Sequence, residues 1–122
     1  MGVPVCTIKQ NIADLSKRIR FCEQKAINSK PVTLLAVSKQ RTAEEILTAV
    51  EADITDVGEN YLQEALLKID ELGEQAITWH FIGPIQSNKC KDIAQNFNWV
   101  HTIDRLKIAQ KLSDSRPITA AR

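Results

Sequence analysis

The chain has 122 residues, of which 16 are Lys or Arg and 15 are Asp or Glu, giving a formal net charge of +1. This length suits one small domain, residues 1–122, and leaves little room for two. A charge so near zero argues against a nucleic acid or an anionic membrane surface as the partner. No apolar run approaches the about 20 residues that cross a bilayer.

The cysteines indicate the compartment. Cys6, Cys22 and Cys90 are widely spaced and odd in number, whereas small secreted domains carry paired cysteines that form a disulfide framework. The N-terminal residues also lack the long apolar segment of a signal peptide. We therefore expect reduced thiols and a cytoplasmic protein.

Apolar residues recur every three or four positions over residues 7–26, which predicts a first amphipathic helix. The apolar run over residues 32–38 follows. Because it does not alternate with polar residues, it predicts a strand covered on both faces, as in a parallel sheet. Thr42 and Glu45 then match the capping box of a second helix.

The same alternation continues through the middle of the chain. Residues 53–58, DITDVG, predict a second strand with a less regular pattern than the first. Asn60 and Gln63 match the N-terminal cap of the helix that follows, and Gly73 is placed to end that helix.

Two further units complete the pattern. Residues 77–83, ITWHFIG, predict a third strand, and a helix is expected to begin at Ser87. Residues 99–103, WVHTI, predict a fourth strand, with Asp104 as the cap of a last helix. Residues 114–122 are expected to form an irregular tail.

The fold class predicted by this order is α/β, with an N-terminal helix and four βα units around a parallel sheet. Four units make either a small open sheet or half of an eight-stranded barrel, since a complete barrel takes about 250 residues. Polar residues follow the strands, at the end where α/β proteins place their sites. They are Ser38, Lys39, Glu59, Asn60, Gly83 with Gln86 and Asn88, and Asp104 with Arg105.

Lys39 directly follows the first predicted strand. An apolar environment there would disfavour the ammonium and free the amine to attack an aldehyde. The alternative is a lysine that simply extends to water from the strand end. The residues alone leave both open.

The other polar candidates have structural alternatives. Asn60 is better explained by capping the next helix than by a site, and Tyr61 is better explained by packing than by an acid. His80 and His101 are expected to make core or rim hydrogen bonds, because metal binding would need more ligands at matching depth. A helix beginning at Ser87 could hold an anion, although most helix termini hold none.

The chain lacks the glycine-rich phosphate-binding motifs G-x-x-x-x-G-K-[ST] and G-x-G-x-x-G. Its four glycines are Gly2, Gly58, Gly73 and Gly83. A cup of successive backbone N–H groups for a phosphate is therefore not encoded in these 122 residues.

Four segments, LLAVSK, GENYLQEA, WHFIGPIQSNK and VHTIDR, together resemble the pyridoxal phosphate homeostasis protein family, the bacterial YggS group. The resemblance spans nearly the whole chain and implies the N-terminal half of a (β/α)8 TIM-type barrel of the alanine racemase kind. It implies that Lys39 holds pyridoxal 5′-phosphate as an imine and that Asn60 lies near the cofactor. Members of the family are longer, and their Ser/Gly-rich phosphate-holding segment has no counterpart here.

The resemblance implies a cofactor-binding protein of pyridoxal phosphate homeostasis, without substrate turnover and without a catalytic residue or metal. One alternative is a truncated half-barrel whose cofactor binding is lost or depends on a partner. Another is an amino-acid racemase, which needs a proton donor on both faces of the substrate carbon, with Tyr61 or a partner residue opposite Lys39. A homodimer or a complementing second half-barrel would cover the open sheet edges.

Overall fold

The structure, a computed structural model, describes residues 5–27, 30–73 and 75–116, with side chains from residue 7 onwards. Five helices and four strands alternate as the sequence predicts. They are α1 (Val5–Lys25), β1 (Leu35–Val37), α2 (Ala43–Glu51), β2 (Asp56–Glu59), α3 (Leu62–Leu72), β3 (Thr78–Phe81), α4 (Cys90–Asn96), β4 (Trp99–Val100) and α5 (Leu106–Ser115). A short 3₁₀ turn, Ser87–Lys89, leads into α4.

The strands form one parallel sheet in the order β1-β2-β3-β4. One register row crosses it: Val37 pairs with Gly58, Gly58 with His80, and His80 with Trp99. Among the described strands, β1 and β4 are the two edges. Each strand therefore lies beside its neighbour in the sequence, which is the arrangement that successive βα units produce.

The core lies between one face of the sheet and the helices. Val57 of β2 and Phe81 of β3 are 1% and 2% exposed, and the Phe81 ring packs edge-on against Phe97 at the end of α4. Helix residues such as Ile93 and Ile108 complete this cluster. Because successive strand side chains alternate between faces, the row from Val37 to Trp99 lies on the opposite side of the sheet.

We call that opposite side, which carries Val37, Gly58, His80 and Trp99, the open face. Val37 and Trp99 are 51% and 58% exposed. The prediction that the first strand is covered on both faces is therefore wrong for the described residues. The strand is also shorter than the predicted residues 32–38, because the pairing of β1 with β2 covers only Leu35, Ala36 and Val37.

Two of the predicted helix ends are confirmed. Thr42 caps α2: its hydroxyl accepts the Glu45 N–H at 3.1 Å, and its own N–H donates to the Glu45 carboxylate at 3.1 Å. Gly73 ends α3 with φ of 51°, a backbone conformation that favours glycine.

Two other predicted caps are wrong. The N-cap of α3 is Tyr61 rather than Asn60, and the N-cap of α5 is Arg105 rather than Asp104. Neither cap makes a side-chain hydrogen bond. The Asn60 amide oxygen is instead buried without a hydrogen-bond partner among the described residues, and the exposed Asp104 carboxylate lies 3.4 Å from Nε of Arg105.

The C-terminal part differs slightly from its prediction. Asp114 and Ser115, predicted to begin the irregular tail 114–122, belong to α5. Residues 117–122 lie outside the described residues. Cys22 and Cys90 are free thiols, whereas the side chain of Cys6 also lies outside the described part. No described helix is both long and apolar enough to span a membrane.

Candidate functional site

Lys39 and Asn60 lie at the carboxyl edge of the sheet. Lys39 follows Val37 of β1 by two residues, and Asn60 follows Gly58 of β2 by two, so both continue the rows of the open face. The Ser38 N–H donates to the Gly58 carbonyl at 2.9 Å, which extends the pairing of the two strands to this point. The sheet thus brings the two sequence-predicted site residues to one edge.

The Lys39 side chain is exposed. The sequence predicted an apolar environment for its stem, and this prediction is wrong for the described residues. The reason is the open face: β1 is an edge strand, and its neighbour Val37 is itself half exposed. The amine is accessible to a ligand from solvent.

The residue before Lys39 is anchored by buried charges. Ser38 is 4% exposed, and its hydroxyl donates to Oε1 of Glu59 at 2.8 Å. Its carbonyl accepts from Nζ of Lys68 at 2.6 Å. Lys68 also donates to Oε1 of Glu59 and to Oε1 of Glu64, each at 2.7 Å.

The residue after Lys39 is anchored by the same cluster. Gln40 has φ of 61°, and its N–H donates to Oε1 of Glu64 at 2.7 Å. The hydrogen bond from Lys68 lowers the pKa of Glu64, burial opposes this shift, and the Gln40 N–H adds to it. Lys39 is therefore an exposed side chain on a backbone that is held on both sides.

The end of β2 also approaches the end of β3 closely. A Cβ added at Gly83 would lie 2.1 Å from the Asn60 carbonyl oxygen, so only glycine fits there without a backbone shift. The hydroxyl of Thr102 donates to the Gly83 carbonyl. The buried Asn60 Oδ1 has no hydrogen-bond partner among the described residues. Leaving such an oxygen unpaired costs about 1–3 kcal/mol, so it suits a donor supplied by a ligand or water.

The two histidines form a hydrogen-bonded, stacked pair on the open face. His80 Nδ1 lies 2.8 Å from His101 Nε2, and the ring centroids are 5.1 Å apart. Trp99 stacks beside them. His80 Nε2 is 3.7 Å from Oδ2 of Asp56, too far for a hydrogen bond. Burial lowers the pKa of His80, and the nearby Asp56 carboxylate partly opposes this.

This arrangement agrees with the predicted role of the histidines as hydrogen-bonding groups. Within residues 5–27, 30–73 and 75–116, no three His, Cys, Asp or Glu side chains converge where a metal ion could bind.

Within the part of the chain that the structure describes, the remaining candidates make no hydrogen bond or ion pair with Lys39. Tyr61 is 53% exposed, so the expectation that it packs is wrong. Ser87 begins a 3₁₀ turn without a side-chain cap, and its hydroxyl accepts from Nζ of Lys111 at 2.6 Å. Lys89 ends that turn and is partly buried.

Sequence reasoning missed the buried pair of Glu59 and Lys68, which are 0% and 6% exposed. A signal was present, because Lys68 falls three residues after Ala65 on the buried side of α3. A lysine at such a position needs a buried carboxylate, and the strand before α3 ends in glutamate.

Comparison with known proteins gives consistent relatives, although no family model matches the chain. The pyridoxal phosphate homeostasis protein of Pseudomonas aeruginosa is 55% identical over 113 residues, covering 91% of this chain and 49% of that protein. The protein of that name from Vibrio alginolyticus is 51% identical over 116 residues, covering 91% and 50%. Its Escherichia coli K12 counterpart is 46% identical over 114 residues, covering 90% and 49%.

Solved structures show the same similarity. PipY of Synechococcus elongatus PCC7942, solved without PLP, superposes with a TM-score of 0.76 at 33% identity, covering 88% of this chain and 46% of PipY. PipY with PLP bound gives a TM-score of 0.74 at 33% identity, covering 88% and 47%. A Bifidobacterium adolescentis protein gives 0.79 at 27% identity, covering 90% and 49%. The chain is thus a homologue of the pyridoxal phosphate homeostasis protein family and spans about half the length of the relatives it matches.

Proposed function

We propose that this chain binds pyridoxal 5′-phosphate through Lys39 and serves cofactor homeostasis without turning over a substrate. The observation that supports this most directly is the exposed amine of Lys39 on a backbone anchored at both neighbours. The names of the relatives support the homeostasis role, and PipY has been seen with PLP bound. In the proposed linkage, the Lys39 amine condenses with the aldehyde carbon, a C=N bond forms and one water leaves.

The described residues suit the aldehyde side of the cofactor. Lys39 supplies the amine, and the buried Asn60 Oδ1 supplies an acceptor that lacks a partner. Close packing at Gly83 holds the strand end that carries Asn60 in place. Asn60 is therefore the second cofactor-binding residue we propose.

The described residues offer fewer groups that could bind the phosphate of the cofactor. Gly58 lies under the side chains of Leu35 and Ile82, and Gly73 ends α3. Neither glycine contributes to a cup of free backbone N–H groups. We infer that the phosphate is held by residues that the longer relatives possess in their other half.

We also propose that the four-stranded sheet is the N-terminal half of a (β/α)8 barrel. Its parallel strands run in chain order, both edges lack partners within the described strands, and the chain spans about half of its relatives. The exposed Val37 and Trp99 are where a second half-barrel, or a second copy of this chain, would pack against the open face. The free thiols of Cys22 and Cys90 support a cytoplasmic protein.

The test is the site of covalent labelling. The chain is incubated with pyridoxal 5′-phosphate, reduced with borohydride, and analysed by intact mass and peptide mapping. We expect one dominant adduct on Lys39. Lys39→Ala and the charge-conserving Lys39→Arg should lose it, because neither side chain offers a primary amine, whereas Lys89→Ala should retain it.

Labelling spread over the exposed lysines without preference for Lys39 would overturn the proposal for this chain. A dominant adduct on Lys89 would show that Lys89, rather than Lys39, is the cofactor-binding lysine. A racemase would in addition scramble the α-proton of alanine into deuterated water faster than free cofactor does, and we expect no such excess.

A further inference from the structure

The buried charged cluster beneath Lys39 consists of Ser38, Glu59, Glu64 and Lys68. Lys68 has a side chain only 7% exposed, and Glu59 is fully buried. The Lys68 ammonium has three donors, and each has an acceptor: the Ser38 carbonyl, Glu59 and Glu64 at 2.6, 2.7 and 2.7 Å. The described contacts therefore satisfy this buried cation completely.

Holding a helix to a sheet through buried charges costs free energy, because the charges must be removed from water. Burying an ion pair is often no more stabilising than packing apolar residues of similar volume, and neighbouring α3 positions are apolar. Unlike apolar packing, however, the cluster makes directional hydrogen bonds to the backbone on both sides of Lys39. One of its bonds ends on the carbonyl of Ser38, and another ends on Glu64, which in turn accepts the N–H of Gln40.

We propose that Lys68 is a positioning residue for Lys39. Its ammonium fixes the peptide before Lys39 directly and the peptide after it through Glu64. Gln40 has φ of 61°, a conformation that costs a non-glycine residue of order 1 kcal/mol. The hydrogen bond to Glu64 offsets this, so that the turn presents the Lys39 amine at the carboxyl edge of the open face. The inference rests on the proposed role of Lys39 as the cofactor-binding lysine.

The first measurement is hydrogen exchange, which needs no cofactor. Lys68→Met alone would leave Glu59 as an uncompensated buried charge, so it is combined with Glu59→Gln. A second variant, Glu64→Ala, removes the link from Lys68 to Gln40 and leaves the bonds of Lys68 to Ser38 and Glu59 in place. We expect the amides of Gln40 and Arg41 to exchange about tenfold faster in both variants, the effect of losing about one hydrogen bond, while the amides of α5 remain unchanged.

The second measurement is the preference of the adduct. In the wild-type chain with pyridoxal 5′-phosphate and borohydride, the ratio of adduct on Lys39 to adduct on the exposed Lys107 is determined by peptide mapping. We expect this ratio to fall about tenfold in both variants, on the same free-energy argument. The conservative variant Lys68→Arg should keep a ratio between that of the wild type and that of these two variants. Lys9→Met, which breaks the exposed 3.3 Å ion pair between Lys9 and Glu51, is the control and should leave it unchanged.

The outcomes separate the two proposals. A wild-type chain without preference for Lys39 overturns the proposed function, while the exchange of the Gln40 amide still decides whether Lys68 fixes the turn. If the wild type prefers Lys39 and the folded variants keep both that preference and the slow exchange, Lys68 is only structural and the positioning role is wrong. Faster exchange with an unchanged preference would likewise refute it.

Discussion

His80 is a buried histidine whose burial disfavours the imidazolium. Its pKa in the folded chain is lowered from 6.5 mainly by burial, with the Asp56 carboxylate opposing the shift. In the unfolded chain the same imidazole takes up a proton near its ordinary pKa. Protonation therefore favours unfolding, so the contribution of His80 to stability is complete above about pH 6.5 and is lost as the pH falls towards the lowered pKa.

We expect the free energy of unfolding, measured by urea denaturation, to be smaller at pH 5.5 than at pH 8. His80→Gln should flatten this dependence because glutamine does not titrate. Glu64, whose pKa lies below 4.5, stays ionised in this interval and does not contribute to the slope. An equal pH dependence in wild type and His80→Gln would contradict the assignment.

The position of Lys39 after the first strand could be predicted from the sequence, whereas the exposure of its side chain could not. Its position after β1 follows from local pattern, since an apolar run ends there. Its exposure depends on what covers the open face, which no local pattern records. The Lys68–Glu59 pair was missed for a related reason: the place of Lys68 on the buried side of α3 signals a buried charge, but only the docking of α3 on β2 shows that its partner is Glu59.

Helix α2 shows what a local motif contributes. Its capping box satisfies the Glu45 N–H and the Thr42 N–H within four residues of chain. Thr42→Ala should lower the free energy of unfolding by about 1 kcal/mol, whereas Thr42→Ser keeps the hydroxyl and should cost much less. Urea denaturation of the three proteins measures this. Equal losses in both variants would show that the threonine methyl, rather than the cap, is responsible.

The other elements show where local signals fail. Asn60 and Asp104 have good capping side chains, yet neither caps, because the chain enters α3 and α5 one residue later. The strand β2 had the least regular pattern, although it pairs on both sides within the sheet. The observed strand ends in the charged Glu59, and only the distant Lys68 makes the burial of that carboxylate tolerable.

For the whole molecule, the alternation of helices and strands was enough to predict a parallel sheet, although not the order of its strands. Alternating strands and helices also build open sheets whose strands are not in chain order, so the order β1-β2-β3-β4 comes from the structure. The same alternation does not predict what covers the faces and edges of the sheet. Val37 and Trp99 are half exposed on the open face, and β1 and β4 each leave one side unpaired among the described strands.

These features predict self-association of the isolated chain. An unpaired edge next to exposed apolar side chains favours pairing with another molecule. We expect the weight-average mass measured by sedimentation to rise with protein concentration. Trp99→Lys, which places a charge on the β4 edge, should reduce this rise, whereas Leu106→Lys alters the 83% exposed Leu106 at the start of α5 and should not. A monomer at all concentrations, or equal effects of the two variants, would show that the open face does not drive association.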